Sequence, residues 1–421
     1  MKDSNIQWIG AIPDAWHLNK IGQLFNLRNE KVSDKEYAPL SVSRGGIVPQ
    51  MESVAKSDAS DDRKLVLKGD FAINSRSDRK QSCGVSPLDG SVSLINLILY
   101  AKDNNVIYND YLNLLMKNYG FAEEFYRWGH GIVADLWTTR WQEMKSIMLP
   151  LPPFEVQKKI YDFLTVKLSE IDDLIEVENK QIEKLKEYKQ AVITEAVTKG
   201  IDPTAPMKDS GVDWIGETPQ GWFVPSIKMI ASTCSGGTPT SGIAEYYNGD
   251  INWVCSYDLK ENVIKETRMK ITEKGASIIA GELQNPGSIL IAMYGGDGTI
   301  GNSGRLDCYA RTNQAICSID FNRKLIMPEY AHYVIKYMRQ FWMIYANGSR
   351  KDPNINQEIV RNMPFIFPPM EEQKEIVRFL DEKCETIKNL LCLKQHKIDE
   401  LNEYKKSLTY EYVTGKKEVI A

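Results

Sequence analysis

The glycine-rich run at residues 296–301 is the part of this 421-residue sequence whose spacing most suggests catalysis. It reads G-x-G-x-x-G and follows a strand-like stretch, as in a dinucleotide-binding turn. Such a turn must open a helix, so that the pyrophosphate lies at the helix N-terminus. Residues 302–305 read N-S-G-R, which favours a loop instead. A glycine-rich loop that lets the backbone approach some other ligand closely fits the same residues.

Other catalytic and metal-binding patterns are missing from the sequence. There is no Walker A motif, and residues 151–154 (L-P-P-F) lack the polar first residue of an amino-methyltransferase loop. The four histidines are far apart, and the seven cysteines form no C-x-x-C pair. This distribution indicates reduced thiols rather than a disulfide frame or a zinc site. We therefore predict no catalytic residue, no metal and no cofactor in this chain.

Several loops instead combine arginine, lysine, amide and hydroxyl side chains. Arginine can pair with guanine, asparagine or glutamine with adenine, and a hydroxyl group with a base, whereas lysine suits a phosphate. Ordinary turn chemistry is the alternative explanation for any single residue. As clusters, the loops predict DNA contacts by Ser43, Arg44, Ser75, Arg76, Arg79, Lys80, Thr238, Thr240, Tyr294, Asn313, Gln314, Ser349, Arg350 and Lys351.

The elements that would position these loops come in two copies. The motif M-K-D-S…W-I-G…P…W of residues 1–16 returns at 207–222, and the P-P…Q-K motif of 152–158 returns at 368–374. The inserts between these copies contain strand-like and helix-like stretches, but they do not resemble each other in sequence. We expect the motif tryptophans to be packing anchors. A duplicated frame with two different inserts predicts one molecule that reads two different things.

Each P-P…Q-K motif precedes a long charged stretch, about 155–199 and about 371–414, with apolar residues at alternating steps of three and four. This heptad pattern predicts two helices, each on the order of 65 Å long. A homodimeric coiled coil is one interpretation, but the matching register favours an antiparallel pair within one chain, where Glu178 and Lys394 could meet. The predicted seam consists of Leu164, Leu168, Ile171, Ile175, Ile182, Leu185, Leu380, Ile387, Leu391, Ile398 and Leu401.

The composition is that of a globular protein of several domains, with 43% apolar and 26% charged residues. No apolar run is long enough to cross a membrane, and the N-terminus does not read as a signal peptide, so we expect a cytoplasmic protein. The formal net charge of −4 is unusual for a DNA-binding chain, because neutralising phosphates supplies much of the affinity. Either the basic surface is local, or another subunit provides much of the backbone contact.

The repeated motifs together resemble the specificity (S) subunit of type I restriction–modification systems, the HsdS family. The second insert adds G-G-T-P at 236–239, Y-Y-N-G-D-I at 246–251 and T-N-Q at 312–314. The first insert has no G-G-T-P or T-N-Q, and its L-S-V-S at 40–43 and N-S-R at 74–76 are similar to another type of target recognition domain. The resemblance runs through the whole chain.

This resemblance implies an α/β (α+β) fold. Two globular target recognition domains would be separated by two long helices packed as an antiparallel coiled coil, with a pseudo-two-fold internal repeat. The expected parts are recognition domains at 1–150 and 201–366 and helical regions at 151–200 and 367–421. A chain of this family would be a non-catalytic subunit that recognises a bipartite, asymmetric DNA site, with its helices setting the spacer.

The partners implied by the resemblance are double-stranded DNA, two methyltransferase (M) subunits and restriction (R) subunits. S-adenosylmethionine, ATP and Mg would be bound by those partner subunits. The alternative is a scaffold without DNA-binding activity, whose two inserts bind protein partners.

Overall fold

The structure is a computed structural model that describes residues 1–50, 62–76, 79–131, 137–295, 298–349 and 352–419, with the backbone alone for 347–349 and 352–353. The chain forms two compact units. Unit 1 comprises Met1–Lys180 and Lys394–Ala421, and unit 2 comprises Gln181–Leu393. Each long helix therefore contributes one part to each unit, and the division into two recognition domains and two helical regions stays a prediction.

The strands of unit 1 are β1 (Lys2–Asp3), β2 (Ala11–Ile12), β3 (His17–Lys20), β4 (Phe25–Arg28), β5 (Lys31–Val32), β6 (Leu40–Ser43), β7 (Gly46–Pro49), β8 (Arg63–Val66), β9 (Phe71–Asn74), β10 (Cys83–Val85), β11 (Gly90–Ser93), β12 (Asn96–Ala101) and β13 (Met148–Leu151). Its helices are α1 (Ile21–Leu24), α2 (Asn109–Lys117), α3 (Tyr119–Arg127), α4 (Trp141–Met144) and the first part of α5 (Phe154–Lys199). A four-stranded antiparallel sheet has the order β10-β9-β12-β4, and a three-stranded sheet has the order β11-β8-β5. Three strand pairs, β1–β2, β3–β13 and β6–β7, complete the unit.

Strand β9 is apolar on both faces because both faces of its sheet are covered. Phe71 and Ile73 belong to a large core that includes Leu112 of α2. Ala72, on the other face, packs in a smaller core with Val66. A strand buried on both faces shows no polar–apolar alternation, which is why this part of the sequence is a continuous apolar run.

The strands of unit 2 are β14 (Met207–Asp209), β15 (Glu217–Pro219), β16 (Ala231–Ser235), β17 (Tyr247–Val254), β18 (Asn262–Ile264), β19 (Met269–Ile271), β20 (Ile289–Ala292), β21 (Ser303–Leu306), β22 (Ala310–Thr312), β23 (Ile316–Phe321), β24 (Asn347–Ser349) and β25 (Asp352–Asn354). Its α-helices are the second part of α5, α6 (Glu273–Ser277), α7 (Pro328–Met338), α8 (Gln357–Asn362) and the first part of α9 (Met370–Val413). Short 3₁₀ turns span Ile227–Met229, Ala244–Tyr246, Ser256–Asp258 and Arg339–Ile344. The main sheet has the order β16-β23-β20-β21-β18, and a second sheet has the order β19-β17-β22.

The two inserts share a sheet order although their sequences differ. The order β10-β9-β12-β4 in unit 1 corresponds to β21-β20-β23-β16 in unit 2. The register agrees as well, because Asn74 lies opposite Asn96 and Ala292 lies opposite Ile316. The last residues of β9 and β20 therefore correspond, as do the first residues of β12 and β23. Sequence comparison of the inserts did not reveal this correspondence.

Both copies of the M-K-D-S motif fold in the same way. In the first copy, the carboxylate of Asp3 accepts a hydrogen bond from the backbone N–H of Asn5 at 2.9 Å. The backbone N–H of Ser4 donates to the carbonyl of Gly10 at 3.1 Å, and Gly10 has a φ of 64°. The second copy repeats both bonds, at 2.9 and 3.0 Å. The glycine of W-I-G thus recurs because the turn needs the left-handed conformation.

The motif tryptophans are packing residues, as predicted. Trp8, Trp16 and Trp222 are buried. Trp214 is half-buried and stacks on Phe341 with ring centroids 4.6 Å apart. Aromatic side chains of this size contribute a large part of the apolar contact in a core.

The glutamine of each P-P…Q-K motif ties the start of a long helix to the domain that precedes it. The fully buried side chain of Gln157 donates to the carbonyls of Val106 and Pro152 at 2.9 and 3.0 Å. It also accepts from the backbone N–H of Tyr108 at 2.8 Å. Gln373 makes the same three contacts in unit 2. We call each arrangement a glutamine clamp; the sequence singled out the motif but not this role.

Within unit 1, helices α5 and α9 run antiparallel. Lys394 pairs with Glu178 at 2.9 Å, and Lys405 pairs with Asp172 at 2.5 Å, so the residue number falls along α9 as it rises along α5. The contact predicted between Glu178 and Lys394 is therefore confirmed. In both helices the predicted seam residues are all buried or half-buried, whereas the residues between them are mostly exposed. The burial follows the predicted heptad period.

Candidate nucleic-acid interface

Unit 1 gathers its predicted contact residues at one edge of the four-stranded sheet. Asn74, the last residue of β9, lies opposite Asn96, the first residue of β12. The loop after β9 and the turn before β12 therefore meet at the same edge. There the backbone N–H of Ser75 donates to the carbonyl of Ile95 at 3.3 Å, and the carbonyl of Ser75 accepts from Thr139 at 3.0 Å.

In the loop after β9 the arginine side chains are exposed, whereas the first serine is buried. Arg76 and Arg79 are exposed. Ser75 is buried, and its hydroxyl donates to the carbonyl of Ile95 at 2.5 Å. The two arginines are therefore exposed at this edge, whereas the Ser75 hydroxyl fixes the loop.

Lys80 lies at the end of this loop in a partly acidic environment. Its ammonium group is 2.9 Å from a carboxylate oxygen of Glu123 and 4.2 Å from the ring centroid of Tyr126. All three side chains lie near the same depression as Arg76 and Arg79. A phosphate at Lys80 would compete with Glu123, because the ammonium group is held in place by this carboxylate.

The tip of the β6–β7 hairpin lies against the same loop. The hydroxyl of Ser43 donates to the carbonyl of Gly46 at 3.0 Å and closes the turn. Arg44 is exposed, and its Nε donates to the carbonyl of Lys80 at 3.2 Å. The structure thus brings together all six residues predicted in the first insert.

Unit 2 gathers five of its predicted residues at the corresponding edge of its main sheet. Strands β16 and β20 end, and β23 begins, at this edge, because Ser235 lies opposite Cys317 and Ala292 lies opposite Ile316. The loops that adjoin these strand ends carry Thr238, Thr240, Tyr294, Asn313 and Gln314.

The G-G-T-P and T-N-Q motifs form one surface. The backbone N–H of Gly237 donates to the carbonyl of Thr312 at 3.0 Å, and the hydroxyl of Thr238 hydrogen-bonds the side-chain oxygen of Gln314. At Gly236 an added Cβ would overlap the carbonyl of Thr312. Only glycine permits this close backbone approach, which explains the residue type in the motif.

The remaining residues of this edge differ in exposure. Thr240 is exposed, and the side chain of Tyr294 is 37% exposed. Partial burial raises the pKa of the Tyr294 phenol, so at neutral pH the hydroxyl keeps its proton and can donate. The side-chain oxygen of Asn313 accepts from the backbone N–H of Ala315 at 3.1 Å, which orients the carboxamide.

Arg76 and Tyr294 occupy equivalent positions in the two units. Ser75 and Met293 each donate a backbone hydrogen bond to the residue just before the next strand of the sheet, at 3.3 and 2.7 Å. Each also accepts a backbone N–H from a later segment, at 3.0 and 2.9 Å. The next residues, Arg76 and Tyr294, therefore leave the two sheets at the same place. Sequence reasoning missed this equivalence because arginine and tyrosine are different residue types. The signal that could have revealed it is that each residue follows the end of an apolar run.

Some predicted residues cannot be placed. Arg350 and Lys351 lie outside the described residues, and Ser349 ends β24 with only its backbone described. The first two residues of the glycine-rich run, 296–297, also lie outside. Its remaining part, 298–301, leads into β21 rather than into a helix, as the sequence indicated.

The chemistry of both edges is hydrogen bonding by guanidinium, hydroxyl, amide and phenol groups, which suits nucleobase edges and phosphates. In the described part of the chain, no group of three or more His, Cys, Asp or Glu side chains is arranged to hold a metal ion. Nor does any described helix combine the length and apolar character needed to cross a membrane.

Comparison with known proteins shows which proteins this chain resembles. A family model described as the type I restriction modification DNA specificity domain matches residues 219–403. The type I restriction enzyme MjaVIII specificity subunit of Methanocaldococcus jannaschii is 26% identical over 65% of this chain and 62% of its own length. The putative MjaX specificity subunit of that organism is 23% identical over 97% of this chain and 95% of its own length. The EcoBI specificity subunit of Escherichia coli is 26% identical over 57% of this chain and 52% of its own length.

Two solved structures share the fold. A chain from a study of complex assembly and conformational transition of the type I R-M system has a TM-score of 0.73, with 14% identity over 96% of this chain and 98% of that chain. The HsdS subunit of Thermoanaerobacter tengcongensis has a TM-score of 0.53, with 16% identity over the same shares. The mixed helix-and-strand fold predicted from the sequence is confirmed. In sequence the chain is similar to specificity subunits of type I restriction–modification systems, and it shares the fold of solved HsdS structures.

Proposed function

We propose that this chain recognises a bipartite, asymmetric DNA site, with one half-site contacted by each of the two sheet edges. The observation that carries this proposal is the pair of equivalent edges with different side chains, where Arg76 of unit 1 corresponds to Tyr294 of unit 2. Equivalent placement favours the same kind of ligand, and different side chains favour different bases. An asymmetric target follows.

The helices α5 and α9 would set the spacer between the half-sites. They contain 46 and 44 residues, which corresponds to on the order of 65 Å each. A continuous helix of that length, held by an antiparallel partner, suits a fixed separation between two recognition domains.

The outer faces of the helices would dock two copies of the methyltransferase subunit. Exposed apolar side chains recur in register on α5 and α9, where a solvated helix face needs none. Their exposed fractions run from 41% to 65%. The repeated pairs are Leu174 with Leu390, Val177 with Leu393, and Tyr188 with Tyr404. Two like surfaces fit two copies of one partner.

In this proposal the chain is non-catalytic. Methyltransferase subunits would bind S-adenosylmethionine, and restriction subunits would bind ATP and Mg. Partner subunits would also provide much of the contact with the DNA backbone, which accounts for the net charge of −4.

Selection of bound duplexes from a random DNA library tests the proposal, with the chain assembled with its methyltransferase subunits. We expect an enriched motif of two unlike half-sites separated by a spacer of fixed length and free sequence. Enrichment of no motif would contradict DNA recognition and support the protein-binding scaffold.

Replacing Arg76 with alanine should relax recognition of one half-site only. If the guanidinium contacts a base edge, its loss should reduce discrimination there by about 1–3 kcal/mol, while the other half-site and the spacer stay unchanged. The same library selection measures this effect. Arg323→Ala is the matched control, because Arg323 follows the opposite end of β23 and is also exposed. A uniform loss over all sequences would instead assign Arg76 to a phosphate.

Placing charged residues in one of the two apolar surfaces should prevent one of the two methyltransferase subunits from binding. We expect the double substitution Leu390→Lys, Leu393→Lys to weaken one of two methyltransferase binding events at least tenfold, about 1.4 kcal/mol or more. Sedimentation analysis would then show one methyltransferase subunit per chain instead of two. Leu174→Lys, Val177→Lys is the matched variant for the other surface. Unchanged two-to-one assembly in both variants would exclude these surfaces.

A further inference from the structure

Glu178 and Lys394 occupy the same position of the two sequence repeats, because each lies equally far after its clamp glutamine, Gln157 or Gln373. Within unit 1 their side chains contact each other, with Nζ and Oε2 2.9 Å apart. When two copies of the same helix pair antiparallel, the residue at the centre of the pairing lies opposite the same residue of the other copy. A faithful duplication would place like charges there, yet this chain has opposite charges.

The surroundings of this contact are also not duplicated. Glu178 is only 5% exposed, and Lys397 provides a second ammonium group at 2.6 Å. Hydrogen bonds from Lys397 and Lys394 lower the pKa of the Glu178 carboxyl, so it stays ionised at neutral pH. The repeat counterpart of Lys397 is Gln181, which is exposed and uncharged. One buried carboxylate therefore receives two cations.

A second ion pair of unit 1 opposes the pairing of two α9 helices. Asp172 pairs with Lys405 at 2.5 Å. Their repeat counterparts are Lys388 and Lys189, both lysines. In both contacts the acidic partner is on α5 and the basic partner on α9. Two paired copies of α9 would bring Lys388 against Lys405, so this contact opposes that pairing, whereas in two paired copies of α5 Asp172 would still face Lys189.

We propose that Glu178, Lys394 and Lys397 form a charge code that makes α5 and α9 pair with each other and prevents either helix from pairing with a second copy of itself. Two copies of α5 would bring Glu178 against Glu178 without a lysine. Two copies of α9 would bring four lysines together. Like charges at such a site are strongly unfavourable, and polar residues within a helix seam specify the pairing partner.

The consequence for function rests on the DNA recognition proposed above. Because α5 follows the first insert and α9 follows the second, pairing of unlike helices keeps two different recognition edges in one particle. Pairing of like helices would instead place two copies of the same recognition edge in one particle, which would select a palindromic site. By pairing α5 with α9, the charge code therefore ensures that the recognised DNA site is asymmetric.

Charge reversal in the full-length chain tests the code. Glu178→Lys makes all three positions basic, and Lys394→Glu with Lys397→Glu makes all three acidic. We expect each variant to melt at a temperature lower by roughly 5 °C, and the combined triple substitution to recover most of that loss. Glu183→Lys with Lys186→Glu is the control, because this exposed pair lies within one helix. A triple variant as unstable as its parents would overturn the proposal.

Co-expression of the all-basic and all-acidic chains, with different tags, tests partner choice directly. Exchange of helices would satisfy every charge in a mixed pair, so we expect a complex of twice the 48 kDa chain mass to carry both tags. Differently tagged wild-type chains should give no such complex. Absence of the mixed complex would also overturn the code. Neither experiment uses DNA, so failure of the code is distinguishable from failure of the DNA-recognition proposal.

Discussion

Replacing Gln373 with alanine is expected to lower the free energy of unfolding by about 3 kcal/mol. The side chain is fully buried and donates to the carbonyls of Leu325 and Pro368 at 2.8 and 2.9 Å. It also accepts from the backbone N–H of Met327 at 2.9 Å. Alanine would leave three backbone groups without this partner, one from a buried and two from partly buried hydrogen bonds, and an unsatisfied buried group costs about 1–3 kcal/mol. Denaturant titration of the full chain measures the loss.

Gln157→Ala should have the same effect in unit 1, since its contacts are the same. Gln395→Ala is the matched control, because Gln395 is exposed on the surface of α9 and should cost less than about 0.5 kcal/mol. A loss below about 1 kcal/mol at both clamp positions would contradict the role assigned to the clamps.

Replacing Gly236 with alanine should abolish recognition of the second half-site and leave the first intact. The added methyl group would overlap the carbonyl of Thr312. Because that carbonyl belongs to β22 and accepts from Gly237, it cannot move without disturbing the sheet. The loop must instead withdraw from the T-N-Q turn. Overpacking of this kind typically costs about 1–3 kcal/mol, and we expect enrichment of the second half-site to fall at least tenfold.

Gly221→Ala provides the control for this substitution. A Cβ at Gly221 would meet no atom within 4 Å, so alanine should be tolerated. Library selection with both variants separates a local effect on the edge from a general effect of alanine. Retention of the second half-site in Gly236→Ala would show that the contact between the two motifs is dispensable for recognition.

The repeated frame and the helices were predictable from the sequence, because each depends on local patterns. The predicted helices of about 155–199 and 371–414 are Phe154–Lys199 and Met370–Val413 in the structure. Their heptad period fixes which face is buried. The meeting of Glu178 and Lys394 was predictable too, since matching seams constrain an antiparallel register.

The shared architecture of the inserts was not predictable from side-chain types. Sheet order depends on which strands pair across long sequence separations, and the one identity that β9 and β20 share, Ile73 with Ile291, is too little to reveal the match. The buried state of Ser75 was also hidden, because a serine after a strand reads as a surface turn. The clamps were missed for a similar reason, since a glutamine in a charged helix usually faces solvent.

The glutamine clamps have a consequence for how such chains diversify. Every partner of Gln157 and Gln373 is a backbone carbonyl or N–H, and two of the three residues that provide these groups differ in type between the two units. The third is a proline in both. Tyr108 in unit 1 is replaced by Met327 in unit 2 with no change in the bond. The hydrogen bonds of the clamp therefore do not depend on the side-chain types of the domain that they hold. Inserts of unrelated sequence can be exchanged on the same helix, provided that their backbone ends in the same turn.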